Sequence, residues 1–371
     1  MIDRSGLVDC ADVSIPSPAR TTPCPNPNIQ EGPMTASLDV VRSHPLCAET
    51  PVSVLATPIT PPESVYVRSN FDTPPLDSSH RLVIGGAVTV PFDIGMDDLA
   101  ALPQHTVTVT MECAGNWRLG MDPVPTGEPW KYGAVSTTRW SGVPLAALLA
   151  RAGVAADAVE VLASGADAGE RDDADGIVQF QRSLPLSAAL APDTLVATHM
   201  DGAPITADHG APVRLIVPGW YGMASVKWLA RLEVITTPFT GYFQRKRYVY
   251  ETPDGVLPVS QALVKSMIVA PVDGTTGPVE ALRGWAWSGG GPITAVEVQV
   301  NDGPWMSAEL GAPASRWAWT PFTYTGPLPA GAITLRSRAT DATGAVQPER
   351  IVWNRLGYGN NAIRAVHVTR L

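Results

Sequence analysis

The chain has 371 residues, 45% of them hydrophobic, which is enough apolar material for one large or two medium globular domains. A formal charge of −9 argues against a non-specific nucleic-acid binder, because neutralising phosphates needs a cationic face; an anionic ligand here requires a local arginine cluster. No apolar run reaches the roughly 20 residues that span a bilayer, and Met1 to Pro18 carries neither an apolar core segment nor a twin arginine. No membrane partner and a cytoplasmic location are therefore expected, with the periplasm left open.

Residues 1–55 are rich in Pro, Ser and Thr, as in Ser14-Ile15-Pro16-Ser17-Pro18, and lack apolar periodicity. They read as a partly disordered extension, because such a segment buries too little to offset its ordering entropy. Cys10, Cys24 and Cys47 fall in it at spacings unlike those of zinc sites and read as loose or half-buried thiols; a disulfide framework is not expected, and a reducing compartment fits. From Val65 the pattern changes. The alternation Val107-Thr108-Val109-Thr110-Met111 predicts a strand, and Ser141 to Ala152 a helix with Pro144 in its first turn, Leu145, Leu148 and Leu149 on one face and Gly153 as its stop. Two strands flank the turn at Asp201-Gly202, and Val213 to Val217 is a β-branched run ended by Pro218-Gly219. Irregular alternation of helix and strand predicts an α+β domain over 56–260.

Beyond Gln261 the helical signal stops. Short alternating runs follow, Val296 to Val300 and Ile333 to Ala339, separated by turns such as Asn301-Asp302-Gly303, so 261–371 reads as a β-sandwich of immunoglobulin-like size. The pairs Trp285/Trp287 and Trp317/Trp319 each place two indoles on one strand face, as in a sandwich core or an interface.

The most informative stretch is Met111-Glu112-Cys113-Ala114-Gly115-Asn116-Trp117-Arg118, a strand entering a glycine-containing loop with a thiol at the turn and a cation five residues on. A thiol beside a fixed positive charge favours its thiolate, which is what a nucleophile or a soft metal needs. From spacing alone, three readings of Cys113 stay open: an inert buried thiol, a nucleophile and a metal ligand. Further along, His209, Arg214 and Lys227 sit on two strand-and-loop segments able to converge on one anion, and charges inside apolar runs are rarely buried without a partner.

Cys113-Ala114-Gly115-Asn116-Trp117-Arg118 resembles the molybdenum-cysteine loop of the sulfite oxidase family, which includes the eukaryotic nitrate reductases. The resemblance continues in family order through Gly127-Glu128-Pro129-Trp130, Gly133 to Gly142, Asp208 to Arg214, Ser225 to Leu229, Gln244 to Tyr248 and Gly284 to Gly291, covering about 57–371. It implies a molybdopterin-binding domain at 56–260 and a dimerisation domain at 261–371, hence a homodimer. It also implies a Mo-molybdopterin cofactor with Cys113 as the metal ligand. Tyr66, Val67, Arg68, Ser69, Asn70, Asp167, His209, Arg214, Ser225, Val226 and Lys227 are the implied cofactor contacts, and Arg68, Arg118 and Tyr248 the implied catalytic residues around a small oxyanion. Sulfite oxidation to sulfate is the leading expectation. No haem-attachment signal or fused haem or flavin domain is visible, so electrons are expected to pass to a separate acceptor, with a cytochrome among the candidates.

The chain departs from the family pattern at several positions. Arg68-Ser69-Asn70 stands where sulfite oxidases have Arg-Asn-His, Thr126 where they have a lysine, Trp117 where a second arginine is common, and Leu356 where an arginine reaches the anion pocket. Arg355 lies one position off, which in a strand turns it to the other face. Fewer cations weaken the hold on a dianion, each charge-assisted hydrogen bond being worth about 1.5–3 kcal/mol. Reduction of nitrate or a sulfoxide is the alternative reaction, and a cofactor-free scaffold the alternative from another class.

Overall fold

The computed structural model describes residues 38–371, so the expectations for 1–37, Cys10 and Cys24 among them, lie outside the described residues. Residues 38–55 correct the reading of a loose extension. Asp39–Arg42 and Cys47–Glu49 are antiparallel strands joined by Val67–Arg68 in a three-stranded sheet, with Cys47 opposite Arg68. Cys47 is fully buried, and its thiol accepts from Arg42 Nη2 at 3.3 Å and donates to the Ser69 carbonyl at 3.6 Å. A small apolar thiol between two backbone ladders is an ordinary core residue, and the proline-rich composition around it hid this.

Two five-stranded sheets carry the next 200 or so residues. One is antiparallel and contains His105–Glu112, Val135–Pro144, Leu195–Met200, Ala203–Pro204 and Arg214–Ile216; the other runs Phe92–Gly95, Arg81–Gly86, Leu229–Ile235, Glu160–Arg171, Ala174–Pro185. The strand expected around 107–111 is eight residues long, with Val107, Val109 and Met111 in an apolar cluster. Its threonine face is covered too: Thr110 N–H donates to the Trp317 carbonyl at 2.9 Å, and Trp319 N–H to Thr110 Oγ1 at 2.6 Å. The helix is shorter than expected, Leu145–Ala152, burying Leu145, Leu148, Leu149 and Ala152 and stopping at Gly153 with φ +71°. Ser141 to Pro144 stay in the strand ladder, because a Cβ at Gly142 would lie 2.1 Å from the Val196 carbonyl oxygen and only glycine lets the strands approach there. Described helices reach at most eight residues, so the α+β expectation gives way to a mostly β fold. None of them is long and apolar enough to cross a membrane.

The C-terminal part consists of a four-stranded sheet, Lys265–Ala270, Leu282–Trp287, Thr320–Tyr324 and Glu309–Leu310, and a five-stranded sheet containing Ile293–Val300, Gly331–Asp341 and Ala365–Arg370. Ile268, Leu282, Phe322, Val298, Leu335 and Val366 form one core from both sheets. Trp285 and Trp287 share a face as expected and pack with Leu55, Val135 and Trp319, the Trp285 and Trp319 rings stacking at 5.0 Å. Trp317 does not join them. It packs against the Val107/Val109 cluster and donates to Asp193 Oδ2 at 2.7 Å, because 317 and 319 precede the strand Thr320–Tyr324 and have no strand alternation.

Candidate active site

Cys113 leaves the strand His105–Glu112 into a turn held by its N–H on the Ala134 carbonyl and by Asn116 N–H on its own carbonyl, both 2.9 Å. Trp117, with φ +63°, then reverses the chain. Arg118 folds back over the loop so closely that a Cβ on Gly115 would lie 2.4 Å from its Nη2. Its guanidinium donates to the carbonyls of Glu128 (2.6 Å) and Leu356 (3.1 Å) and lies over the Tyr358 ring, leaving its buried Nε without a partner.

Two cavities meet at this thiol. The deeper one takes residues from both five-stranded sheets and is lined by Tyr66, Val67, Arg68, Asn70, Cys113, Asp167, His209, Arg214, Ser225, Lys227 and Tyr248 among others. The second is an open cleft whose walls include Arg42, Arg118, Thr126, Glu128, Arg171, Arg247 and Tyr358. Cys113, Arg68, Asn70 and Tyr248 line both. Arg68 reaches over the Tyr248 ring with its Nη1 unpartnered and its Nη2 3.9 Å from Glu128 Oε1, the same oxygen that takes Arg42 at 2.9 Å. Tyr248, at φ +48°, accepts from Asn70 Nδ2 at 3.4 Å and stacks on Tyr358 at 5.2 Å. Burial pushes the Cys113 thiol up, opposed by Arg68, the Gly115 N–H and Arg118.

Also on the wall of the deep cavity, Lys227 Nζ donates to Ser69 Oγ (2.7 Å) and the Asp208 carbonyl (2.8 Å). Arg214 donates to the carbonyls of Ser225 (3.2 Å) and His209 (3.1 Å) and lies over the Trp140 ring. Among the described residues neither cation has a carboxylate within 4 Å. Burial, with repulsion from Arg214, brings Lys227 down to about 7 and Arg214 itself to about 10. Asp167, at a bulge in Glu160–Arg171, is pushed up to about 6 by burial, and its Oδ1 has no partner.

Three expectations need correction. His209 is not one of the converging cations: its Nε2–H donates to the Val65 carbonyl (3.0 Å) and its Nδ1 accepts from Thr206 Oγ1 (2.7 Å), and burial and Arg214 bring it down to about 3, so the ring is neutral. Val226 and Ser69 are not among the lining residues; Val226 lies in the apolar core, and the Ser69 hydroxyl meets Lys227 while its carbonyl takes Arg42 and the Cys47 thiol. Arg355 is not in a strand but in a turn, exposed and paired with Glu251, which still leaves the anion cleft without it. Sequence reasoning missed Arg42, Arg171 and Arg247, because they come from an extension, a hairpin tip and the basic run before Tyr248. It also missed Arg182, a fully buried cation bonded only to the carbonyls of Phe243 and Val259.

These surroundings fit a bulky anionic cofactor. Two cations without a carboxylate, an unpartnered Asp167 oxygen and Arg68 nitrogen, and a thiol shared with the open cleft are buried polar groups that need partners of opposite character. Among the described residues no further His, Cys or carboxylate groups with Cys113 as a metal-ligand set, so a metal there requires its other ligands from a cofactor.

Comparison with known proteins agrees. Residues 70–243 match the family described as oxidoreductase molybdopterin binding domain, and 256–370 the Mo-co oxidoreductase dimerisation domain. The chain is 33% identical to sulfite oxidase of Gallus gallus, covering 90% of this chain and 78% of that one. This chain belongs to the sulfite oxidase family. Mitochondrial sulfite oxidase of Rattus norvegicus is 35% identical over 364 residues, of which this family member spans 65% of the rat protein's length. The structure of the sulfane dehydrogenase SoxCD from Paracoccus pantotrophus superposes with a TM-score of 0.77 at 31% identity, covering 87% of this chain and 84% of that one.

The neutral His209 has a consequence for this member of the sulfite oxidase family. Its folded value lies below the unfolded one of about 6.5, so the unfolded chain binds the extra proton, and stability present above pH 6.5 is lost as pH falls toward 3. The full loss is on the order of 4 kcal/mol. Urea midpoints of the cofactor-free protein are expected to fall less between pH 7 and 4.5 in His209→Asn than in the wild type. Glu49, held up to about 7 by burial, acts with the opposite sign over that window but equally in both proteins.

Proposed function

We propose that this chain is a molybdenum-pterin oxidoreductase that oxidises sulfite to sulfate, with Cys113 as the protein's ligand to the metal. The observation that carries this reading is the position of Cys113 at the junction of a cation-lined cavity and an arginine-lined cleft. The bound cofactor supplies oxygen-atom transfer and accepts the two electrons of sulfite plus water going to sulfate and two protons.

The protein binds and orients. Lys227 and Arg214 would hold the anionic end of the pterin, with Ser225 and Asp167 on its heteroatoms, and Cys113 would fix the metal end. Arg68 and Arg118 face the oxyanion from two sides without a carboxylate closer than the 3.9 Å between Arg68 and Glu128, so their charge is available to it. The Tyr248 hydroxyl, close to Asn70 Nδ2 and lining both cavities, would be a neutral donor for a substrate oxygen. We infer further that the C-terminal sandwich is immunoglobulin-like and joins two copies into a homodimer, and that electrons leave to a separate acceptor.

Asn70 and Thr126 bring neutral groups to a cleft that carries more charge in the family pattern, and Leu356, where that pattern has an arginine, is buried in the apolar core; this favours a second reading, reduction of nitrate or a sulfoxide. Dye-coupled turnover with sulfite, nitrate, a sulfoxide and a sulfane compound on molybdenum-loaded enzyme separates the readings; sulfite turnover absent while another substrate turns over would overturn the first. Thr126 lines the cleft beside Arg68 and Arg118. Thr126→Lys is therefore expected to lower the sulfite KM about tenfold, the effect of roughly one charge-assisted hydrogen bond, with kcat within about twofold.

A further inference from the structure

Glu112 ends the strand that delivers Cys113, and its carboxylate lies in the seam with the C-terminal part of the chain. Oε1 accepts from Lys265 Nζ at 2.7 Å and Asn116 Nδ2 at 2.9 Å, and Oε2 from the Trp287 indole at 2.9 Å. Asn116 Oδ1 in turn accepts from Ala134 N–H at 3.2 Å, and the Ala134 carbonyl holds the Cys113 N–H. A continuous hydrogen-bonded path thus runs from Lys265 through Glu112, Asn116 and Ala134 to Cys113.

A second grip closes from the same side. Lys265 also donates to the Asn360 carbonyl at 2.8 Å, the Asn360 amide donates to the Trp117 carbonyl at 2.9 Å, and Gly359 N–H donates to the Ala114 carbonyl at 2.8 Å. Glu112, Asn116, Lys265, Trp287 and Asn360 are all buried. Lys265, Trp287, Gly359 and Asn360 fall within the dimerisation match of 256–370. A seam needing only adhesion is served as well by apolar residues, since a buried ion pair rarely adds net stability; what a satisfied polar network adds is one defined arrangement.

We propose that Lys265 and Asn360 are positioning residues that set the orientation of Cys113 across the domain seam, so that the C-terminal domain is part of the metal-ligand scaffold. This rests on the ligand role of Cys113 proposed above. The first test uses the cofactor-free protein: iodoacetamide labelling of Cys113, resolved by peptide mass spectrometry. Labelling is expected about tenfold faster in Lys265→Met, as the loop opens more often, and still several-fold faster than wild type in Glu112→Gln/Lys265→Met, where no lone charge remains but the Lys265 contacts are absent. Where Lys265→Met fails to fold, Asn360→Ala, which removes the grip on Trp117, is expected to speed labelling in the same direction.

The second readout uses loaded enzyme. Lys265→Met is expected to shift the visible thiolate-to-metal absorption and lower kcat about tenfold with an unchanged sulfite KM, because the anion cleft is untouched. Wild-type labelling and absorption in both Lys265→Met and Asn360→Ala, with only the melting temperature lowered, would overturn the proposal. A wild-type chain that takes up no molybdenum would sink the functional reading instead, while the labelling comparison still decides the role of the seam.

Discussion

Replacing Cys113 with alanine is expected to lower sulfite turnover by about three orders of magnitude, an increase of roughly 4 kcal/mol in the barrier, while molybdenum content falls only a few-fold. The two effects separate because different parts of the cavity produce them. In the proposed reading Arg214 and Lys227 would hold the anionic end of the cofactor through its charge, whereas Cys113, where both cavities meet, would hold the metal. Loss of the thiolate changes the metal's ligand field, and loss of an anion anchor changes retention. Cys113→Ser is expected to restore little, since an alkoxide is a harder ligand than a soft thiolate. Elemental analysis and dye reduction on the same preparations check this, and full sulfite turnover in Cys113→Ala would remove the ligand assignment. An inert buried thiol predicts no loss at all, and a nucleophile predicts a loss that does not depend on molybdenum.

Local pattern made part of this site readable. The Val107 to Met111 alternation predicts the strand, and a Gly-containing loop with a thiol and a cation predicts a special turn; both stand in the structure. The leucine face of 145–149 and the Gly153 stop were legible for the same reason, since one helix face and one left-handed residue are local properties. The misreadings concern groups whose roles depend on distant partners. Nothing in the residues around His209 says that Val65 and Thr206 occupy both ring nitrogens, and so it counted as a cation. Cys47 looked loose because its buried strand is embedded in proline-rich chain, and its ladder partner, Arg68, lies twenty-one residues away. Arg42, Arg171 and Arg247 reach the cleft from three separate elements, with no shared spacing.

The arginines that the cleft gains offset the cations missing from the sequence only in part. Arg42 and Arg247 bring charge to the walls, but each is already engaged: Arg42 with Glu128 at 2.9 Å, Arg247 with Asp173 at 3.4 Å and the Tyr242 hydroxyl at 3.0 Å. A paired guanidinium offers an incoming anion less than a lone one. Arg68 and Arg118 keep buried nitrogens without partners, and in the proposed reading they are the pair left to bind it.

Lys227→Met is expected to have opposite effects on the two forms of the protein, stabilising the cofactor-free chain by about 2 kcal/mol while weakening cofactor retention by roughly 10- to 100-fold. Burial, Arg214 and Arg68 hold the Lys227 ammonium down to about 7, against an unfolded value near 10.5, and Asp167 opposes them only in part. Between those values the unfolded chain binds the extra proton, so this site's contribution to stability rises with pH from 7 to 10.5, and at pH 7 or below its cost is present in full. Methionine fills a similar volume and removes the charge, and no carboxylate within 4 Å of Lys227 is orphaned by the change. The same ammonium, with Ser69 Oγ and the Asp208 carbonyl orienting it, is what an anionic cofactor would meet, and its loss takes away a charge-assisted contact. Thermal melts of protein made in a host without the pterin, beside molybdenum content from a competent host, measure the two arms. A lower melting temperature together with undiminished molybdenum would show that Lys227 is a structural cation and that the cofactor's charge is met elsewhere.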